Sequence, residues 1–385
     1  MITRLRHISL LLAFLLLAPC VRGQETADSA STARRGNIVS RIINYFSESN
    51  KPRDTSKLDF SLIGGPYYSS SMGFGIGLVA SGLYGTGVSD SLIPPSNVSF
   101  FGKVSTKGFA TLGIEGTHIS PEDTYRVTYH TEFFSDPSDY WGIGYEMNNN
   151  NANKSTLKRI GAKGNFEFLY HLGAHLYVGP LVVVDYIHAF EIERRSLLDG
   201  QRTTLWSYGA GVTLSYDSRD VLTNPHSGYY ASVSQSFRPR FLGNRYAFST
   251  TDIQFDMYRT PWEGGIIATD IRGKFNFGNP PWNLMALTGG SHFLRGYYEG
   301  RYRDDHMMAV QVELRQHVWR RSSLVAWLGA GTVFSHLKDI TFGHLLPNWG
   351  VGYRWEFKKD VNVRFDVGFG KHGQNEFMFG INEAF

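Results

Sequence analysis

Trp349-Gly350-Val351-Gly352-Tyr353-Arg354-Trp355-Glu356-Phe357, followed after three residues by Val361-Asn362-Val363-Arg364-Phe365-Asp366-Val367-Gly368-Phe369-Gly370, decides the fold. In both runs every second residue is aromatic or aliphatic, and the residues between are charged, polar or glycine. Side chains of a strand point alternately to its two faces, so each run is a strand with one apolar face. The other face carries both signs of charge. A soluble sandwich would bury the apolar face against a second sheet and put the charges in water. A transmembrane barrel turns the apolar face to lipid and the charges to its lumen.

Working outward, the same pattern recurs from residue 57 to the end with no convincing helix. Inward charges repeat on strand after strand, as Asp270, Arg272 and Lys274, then Glu313 and Arg315. The expected fold is an all-β, transmembrane antiparallel barrel of about 16 strands. Closure follows from lipid, because an open sheet edge would leave backbone groups unpaired in hydrocarbon. Long polar stretches at 135–155, 190–203 and 279–305 read as extracellular loops, and Asn224-Pro225-His226-Ser227-Gly228 as a tight periplasmic turn. In the last stretch, Phe377, Phe379, Ile381 and Phe385 share one face, as in a closing strand.

The front of the chain reads differently. Arg4 and Arg6 precede an apolar stretch, Ile8 to Leu17, too short to span a bilayer as a helix. Residues 1–23 therefore read as a secretory signal peptide cut after Gly23. Leu17-Ala18-Pro19-Cys20 offers a rival, lipoprotein-type processing at Cys20, for which Pro19 is a poor fit. Residues 24–35 have no apolar periodicity and read as a disordered start. Ile38, Val39, Ile42, Ile43 and Phe46 recur at helical spacing and predict a short N-terminal amphipathic helix, joined by a polar linker over 47–56 to the barrel at 57–385.

Composition excludes several classes of function. Of 38 basic residues, three lie in the leader, which leaves 35 against 34 acidic ones and no general case for nucleic acid. Cys20 is the single cysteine, so the mature chain has neither a disulfide scaffold nor a thiolate metal site. The 13 histidines form no ligand-spaced pair on a helix. Gly75-Ile76-Gly77-Leu78-Val79-Ala80 imitates a dinucleotide fingerprint but sits in a strand pattern with no following helix. Ser291 and His292 are loop neighbours without an orienting third group, so no hydrolase triad is read there. No enzyme activity, cofactor, metal or small-molecule substrate is expected.

One segment stands out, Gly289-Gly290-Ser291-His292-Phe293-Leu294-Arg295-Gly296-Tyr297-Tyr298-Glu299-Gly300. Its glycines let the loop fold tightly and deliver Arg295 to a carboxylate pair. Leu294-Arg295-Gly296-Tyr297 resembles the sixth-loop signature of the outer-membrane assembly and secretion superfamily that includes BamA, TamA and the two-partner secretion transporters. Asp217-Ser218-Arg219-Asp220, then Asn224-Pro225 and Gly228-Tyr229-Tyr230, is similar to that family's strand-turn-strand. Gly64-Gly65-Pro66-Tyr67-Tyr68 with Gly73-Phe74-Gly75-Ile76-Gly77 resembles its opening hairpin, and Arg364-Phe365-Asp366-Val367-Gly368 its last strands.

The resemblance covers residues 58–385 and implies an extracellular loop folded back into the lumen, where Arg295 meets carboxylates of the wall. Alternation points Glu313 and Asp366 inward as its partners. Two departures accompany it. Gly329, in Trp327-Leu328-Gly329-Ala330-Gly331, stands where the family usually has an Asp, and about thirty residues between leader and barrel leave no room for the family's periplasmic POTRA repeats. The implied role, in the bacterial outer membrane, is to help fold, insert or translocate outer-membrane proteins. A weak seam between the first strand, Leu58 to Gly64, and the last, Phe377 to Phe385, would serve as the gate. Partners would be outer-membrane lipid and client barrels, or accessory periplasmic and outer-membrane subunits. An accessory subunit and a passive plugged pore are the alternatives.

Overall fold

The computed structural model describes residues 59–69, 72–85 and 96–385. The leader, the start at 24–35, the helix expected over 36–46 and the linker lie outside the described residues. The described chain runs through β1 (Asp59–Ser69), β2 (Gly73–Tyr84), β3 (Ser96–Ser105), β4 (Ala110–Ile119), β5 (Tyr125–Tyr140) and β6 (Ser155–Gly173). It continues through β7 (Leu176–Phe190), β8 (Thr204–Asp217), β9 (Gly228–Arg238), β10 (Phe248–Trp262) and β11 (Gly265–Gly278). A long loop then holds the small ladder of β12 (Ala286–Leu287) and β13 (Arg303–Asp304). Last come β14 (His306–Trp319), β15 (Ser322–Phe334), β16 (Leu346–Lys358), β17 (Val361–Gly370) and β18 (Asn375–Ile381).

All but β12 and β13 form one 16-stranded antiparallel sheet in which each strand pairs with the next in the chain. The sheet returns on itself: a Cβ placed on Gly65 of β1 would lie 3.8 Å from the ring of Phe379 on β18. The chain is an outer-membrane type of β-barrel, inside out relative to a soluble protein. On β14 the exposed positions are Met308, Val310, Val312 and Leu314, while Gln311, Glu313 and Arg315 are buried. Apolar side chains at the outer surface and charges within are what hydrocarbon outside and a polar lumen inside demand.

Loops differ sharply between the two ends. One end has short turns at 174–175, 263–264, 320–321 and 359–360. The other carries the loops 141–154, 191–203, 239–247, 279–305 and 335–345, which pack on one another as a cap. Trp282 Nε1 donates to the Arg202 carbonyl at 3.1 Å, and the Arg303 amide to Asn148 Oδ1 at 2.8 Å. The loop 279–305 enters the lumen from this end. Its Leu294, Tyr297 and Tyr302 form an apolar cluster with Tyr145, Met307 and Leu346.

Four expectations need correction. β1 continues beyond Gly64 through Pro66 to Ser69, and β5 continues to Tyr140, which shortens the loop expected over 135–155. A bulge between Glu356 and Lys358 breaks the alternation of β16, so Phe357 is buried whereas Trp349 and Val351 are exposed. The closing strand stops at Ile381, because Asn382 adopts a left-handed φ of 63° and turns the chain away.

Candidate functional site: an ion ring under the inward loop

The inward loop reaches the wall because glycine stands on both sides of the contact. Gly296 has φ 110°, and a Cβ there would lie 2.5 Å from the Phe369 amide nitrogen. A Cβ on Gly368 of β17 would lie 2.6 Å from the Arg295 carbonyl oxygen. Backbone therefore rests directly on backbone, which no larger residue permits. Tyr297 covers Gly370; its hydroxyl donates to the Pro347 carbonyl at 2.7 Å and accepts from the Lys371 amide at 2.8 Å.

That seating delivers Arg295 to two carboxylates. Nη1 donates to Asp366 Oδ2 at 2.9 Å and Nη2 to Glu313 Oε2, and all three side chains are fully buried. The guanidinium lies 3.8 Å above the centre of the Trp327 ring. The contacts continue from there. Arg315 Nε donates to Glu313 at 2.7 Å, Arg354 Nη1 to Asp366 at 2.6 Å, and Arg354 Nε to Glu383 at 2.7 Å. Arg315 and Glu383 then approach to 3.6 Å.

The six groups close a ring of alternating sign: Arg295, Asp366, Arg354, Glu383, Arg315, Glu313. Each charge has two opposite neighbours, which offsets the desolvation that an isolated pair would suffer in the lumen. The ring ties together five segments: the inward loop, β14, β16, β17 and the residues after β18. Arg364 sits beside it, donating to the Ser291 carbonyl at 2.9 Å and lying 3.7 Å from Asp366.

The turn after β18 supplies the sixth member. Burial alone would push the Glu383 carboxyl up, but Arg354 and Arg315 hold it below the ordinary carboxylate range. Its other oxygen accepts from Asn362 Nδ2 at 2.7 Å. Phe377, Phe379 and Ile381 stay on the outer face, with Phe379 5.2 Å from the Phe365 ring. Phe385 does not join them: its carbonyl accepts from Arg315 Nη2 at 3.0 Å, and its ring lies 6.4 Å from that of Tyr258. The Ala384 carbonyl meets His292 Nδ1 of the inward loop at 3.0 Å.

At Gly329 the space an Asp would need is already filled, since a Cβ there would be 2.6 Å from Asn348 Oδ1. Asn348 Nδ2 donates to the Arg295 carbonyl at 3.2 Å. Trp327, Asn348 and Glu383 are the contributors that sequence reasoning missed. For Trp327 a signal existed, because it lies two residues from Gly329 and so on the same face. For Glu383 none did, as the expected strand ran past it.

The motif at 217–228 builds the turn between β8 and β9. Asp217 accepts from Arg219 Nε at 2.8 Å and from Arg126 Nη1 at 3.0 Å. Asp220 Oδ1 accepts from the amides of His226 and Ser227 at 3.0 and 3.2 Å. Gly228 has φ 102°, and a Cβ there would lie 2.2 Å from the Ser218 carbonyl. Pro225 presents its carbonyl to Arg315 Nη1 at 3.5 Å, at the limit of a hydrogen bond.

Comparison with known proteins agrees with this architecture. The model of the Omp85 superfamily domain matches residues 82–385. Among solved structures, BamA from Haemophilus ducreyi lacking POTRA domains 1–3 is similar with TM-score 0.52 at 13% identity, over 86% of this chain and 70% of that one. CdiB from Acinetobacter baumannii is similar with TM-score 0.52 at 11% identity, over 86% of this chain and 60% of that one. CdiB from Escherichia coli has TM-score 0.53 at 11% identity, over 89% and 67%. A search of curated proteins finds no match.

Proposed function

Because the chain belongs to the Omp85 superfamily, we propose that it helps fold, insert or translocate other outer-membrane proteins through the seam between β1 and β18. The observation that carries this reading is a difference in pairing. Every consecutive pair in the sheet order is joined by a ladder, whereas among the described residues none runs between β1 and β18. β18 is also short, with 7 residues against 11 in β1. A seam that no ladder closes is where the wall parts most readily, and a client strand would add pairing there. The ion ring holds β14, β16, β17 and the residues after β18 to the inward loop, so at an opening seam it is β1 that parts from β18.

Gly65→Cys with Phe379→Cys places two thiols across the seam. In cells carrying this variant as the sole copy, oxidation should lower the amounts of other barrels in the outer-membrane proteome, and reductant should restore them. Unchanged amounts with the crosslink complete would rule out seam opening.

A further inference from the structure

The outer wall on the long-loop side holds an apolar groove of about 830 Å³ crossing from β2 to β8. It follows the register of the sheet. One row of outward residues runs Leu78, Gly102, Leu112, Phe133, Ala162, Tyr186 and ends at Trp206. In the adjacent row Ala110 pairs with Ser135 and Ser135 with Ile160, ending at His188 and Thr204. Gly102, Ala110, Ser135 and Ala162 form a low floor, while Leu112 at 65% exposure and Phe133 at 58% stand up as walls. In a barrel wall that faces hydrocarbon, such a trough takes acyl chains.

The end of the groove is cationic. Arg202 lies four residues before Trp206, and its amide donates to the Tyr246 hydroxyl at 3.2 Å, which brings the loops 191–203 and 239–247 together. Those loops expose Arg195, Arg202, Arg240 and Arg245. Of their acids, Glu191 is paired with Lys158 at 2.5 Å, while Glu193, held by the Thr156 amide at 3.0 Å, and Asp199 stand against five guanidiniums, Arg194 among them. Phe241, between them, is 86% exposed. Guanidinium groups match phosphate geometry, and an apolar tip beside them suits a membrane interface.

We propose that this face is a binding site for the phosphorylated, multiply acylated glycolipid of the outer leaflet. The groove holds its acyl chains, and Arg202 and Arg245 hold its phosphates. Several guanidiniums above a trough seven strands wide fit more than one phosphate and more than two chains, which favours the glycolipid over a phospholipid. The inference needs the outer-membrane location and not the assembly reading, so either can fail alone.

The test uses the full-length protein in detergent, with diphosphorylated hexa-acyl lipid A, phosphatidylglycerol and phosphatidylethanolamine as separate probes. Arg202→Ala with Arg245→Ala removes charge, and Ala162→Leu fills the floor from the lipid side, where extra volume does not strain the barrel. Each variant is used after its unfolding midpoint without lipid is found unchanged. Lipid A should raise the wild-type midpoint and remain bound in native mass spectra, with affinity falling about tenfold in the double variant, the loss expected for about 1.4 kcal/mol of phosphate contact. Ala162→Leu should weaken it too. Equal affinity in wild type and both variants, or equal stabilisation by phosphatidylglycerol, would overturn the proposal.

Discussion

β17 and β1 are both glycine-bearing strands close to where the barrel closes, and they use glycine to opposite ends. On β17, Gly368 and Gly370 are covered by the backbone of Arg295 and the ring of Tyr297, so absent side chains become a seat for the inward loop. On β1, Gly64 sits against Leu78 of β2 on one side, and Gly65 faces Phe379 across the seam with ordinary spacing. Glycine costs chain entropy in any strand. Where a partner fills the space, as the inward loop does for Gly368 and Leu78 for Gly64, the cost is offset; at Gly65, where none presses close, it is not. The same residue type thus seats a loop on one strand and leaves a soft point at the seam in another.

Removing the centre of the anchored side should have the largest effect. Arg295→Ala leaves Glu313 with Arg315 and Asp366 with Arg354 but the buried ring one positive charge short, which costs about 3–5 kcal/mol. The unfolding midpoint in detergent should drop accordingly, and the loop should become cleavable by added protease. Arg295→Lys should rescue little, since an ammonium cannot reach two carboxylates as a fork or stack flat on Trp327. A barrel as stable as wild type with Arg295→Ala would mean that the loop is held by Tyr297 and its apolar neighbours alone.

The glycine comparison itself can be broken by a matched pair. Gly368→Ala drives a Cβ to 2.6 Å from the Arg295 carbonyl oxygen, with backbone on both sides unable to yield. It should destabilise by about 1–3 kcal/mol, as overpacking does. Gly65→Ala meets Phe379 at 3.8 Å and should be near neutral, or stabilising by about 0.4–1 kcal/mol through reduced unfolded-chain entropy. Equal losses at the two sites in thermal unfolding would show that position in the strand, and not what lies opposite, sets the effect.

Much of the anchored side was legible in the sequence, and the reason is periodicity. Alternation alone points Glu313, Arg315, Arg354 and Asp366 inward, and a glycine-punctuated loop with one Arg suggests what they meet. What alternation cannot deliver is a departure from itself. The bulge that buries Phe357 and the left-handed Asn382 that sends Glu383 and Phe385 into the lumen are backbone events, decided by contacts with distant residues. The sixth ring member was invisible for that reason. Gly329 misled in a different way: read as a missing anchor, it is a place where Asn348 already stands.

The smallest effect probes that sixth member through pH. The folded Glu383 carboxyl titrates below its ordinary value of 4.5, so the unfolded chain binds the proton more readily. Its contribution to stability is therefore complete above that value and declines as pH falls through the depressed folded value. Glu383→Gln keeps the shape, removes the charge and should flatten this part of the profile, with little change in fold by far-ultraviolet circular dichroism. If Glu383→Gln leaves the acid limb of the midpoint-versus-pH curve superimposable on wild type, the ring is open at Glu383, and the turn after β18 is held by Asn362 and the main-chain contacts of Ala384 and Phe385 instead.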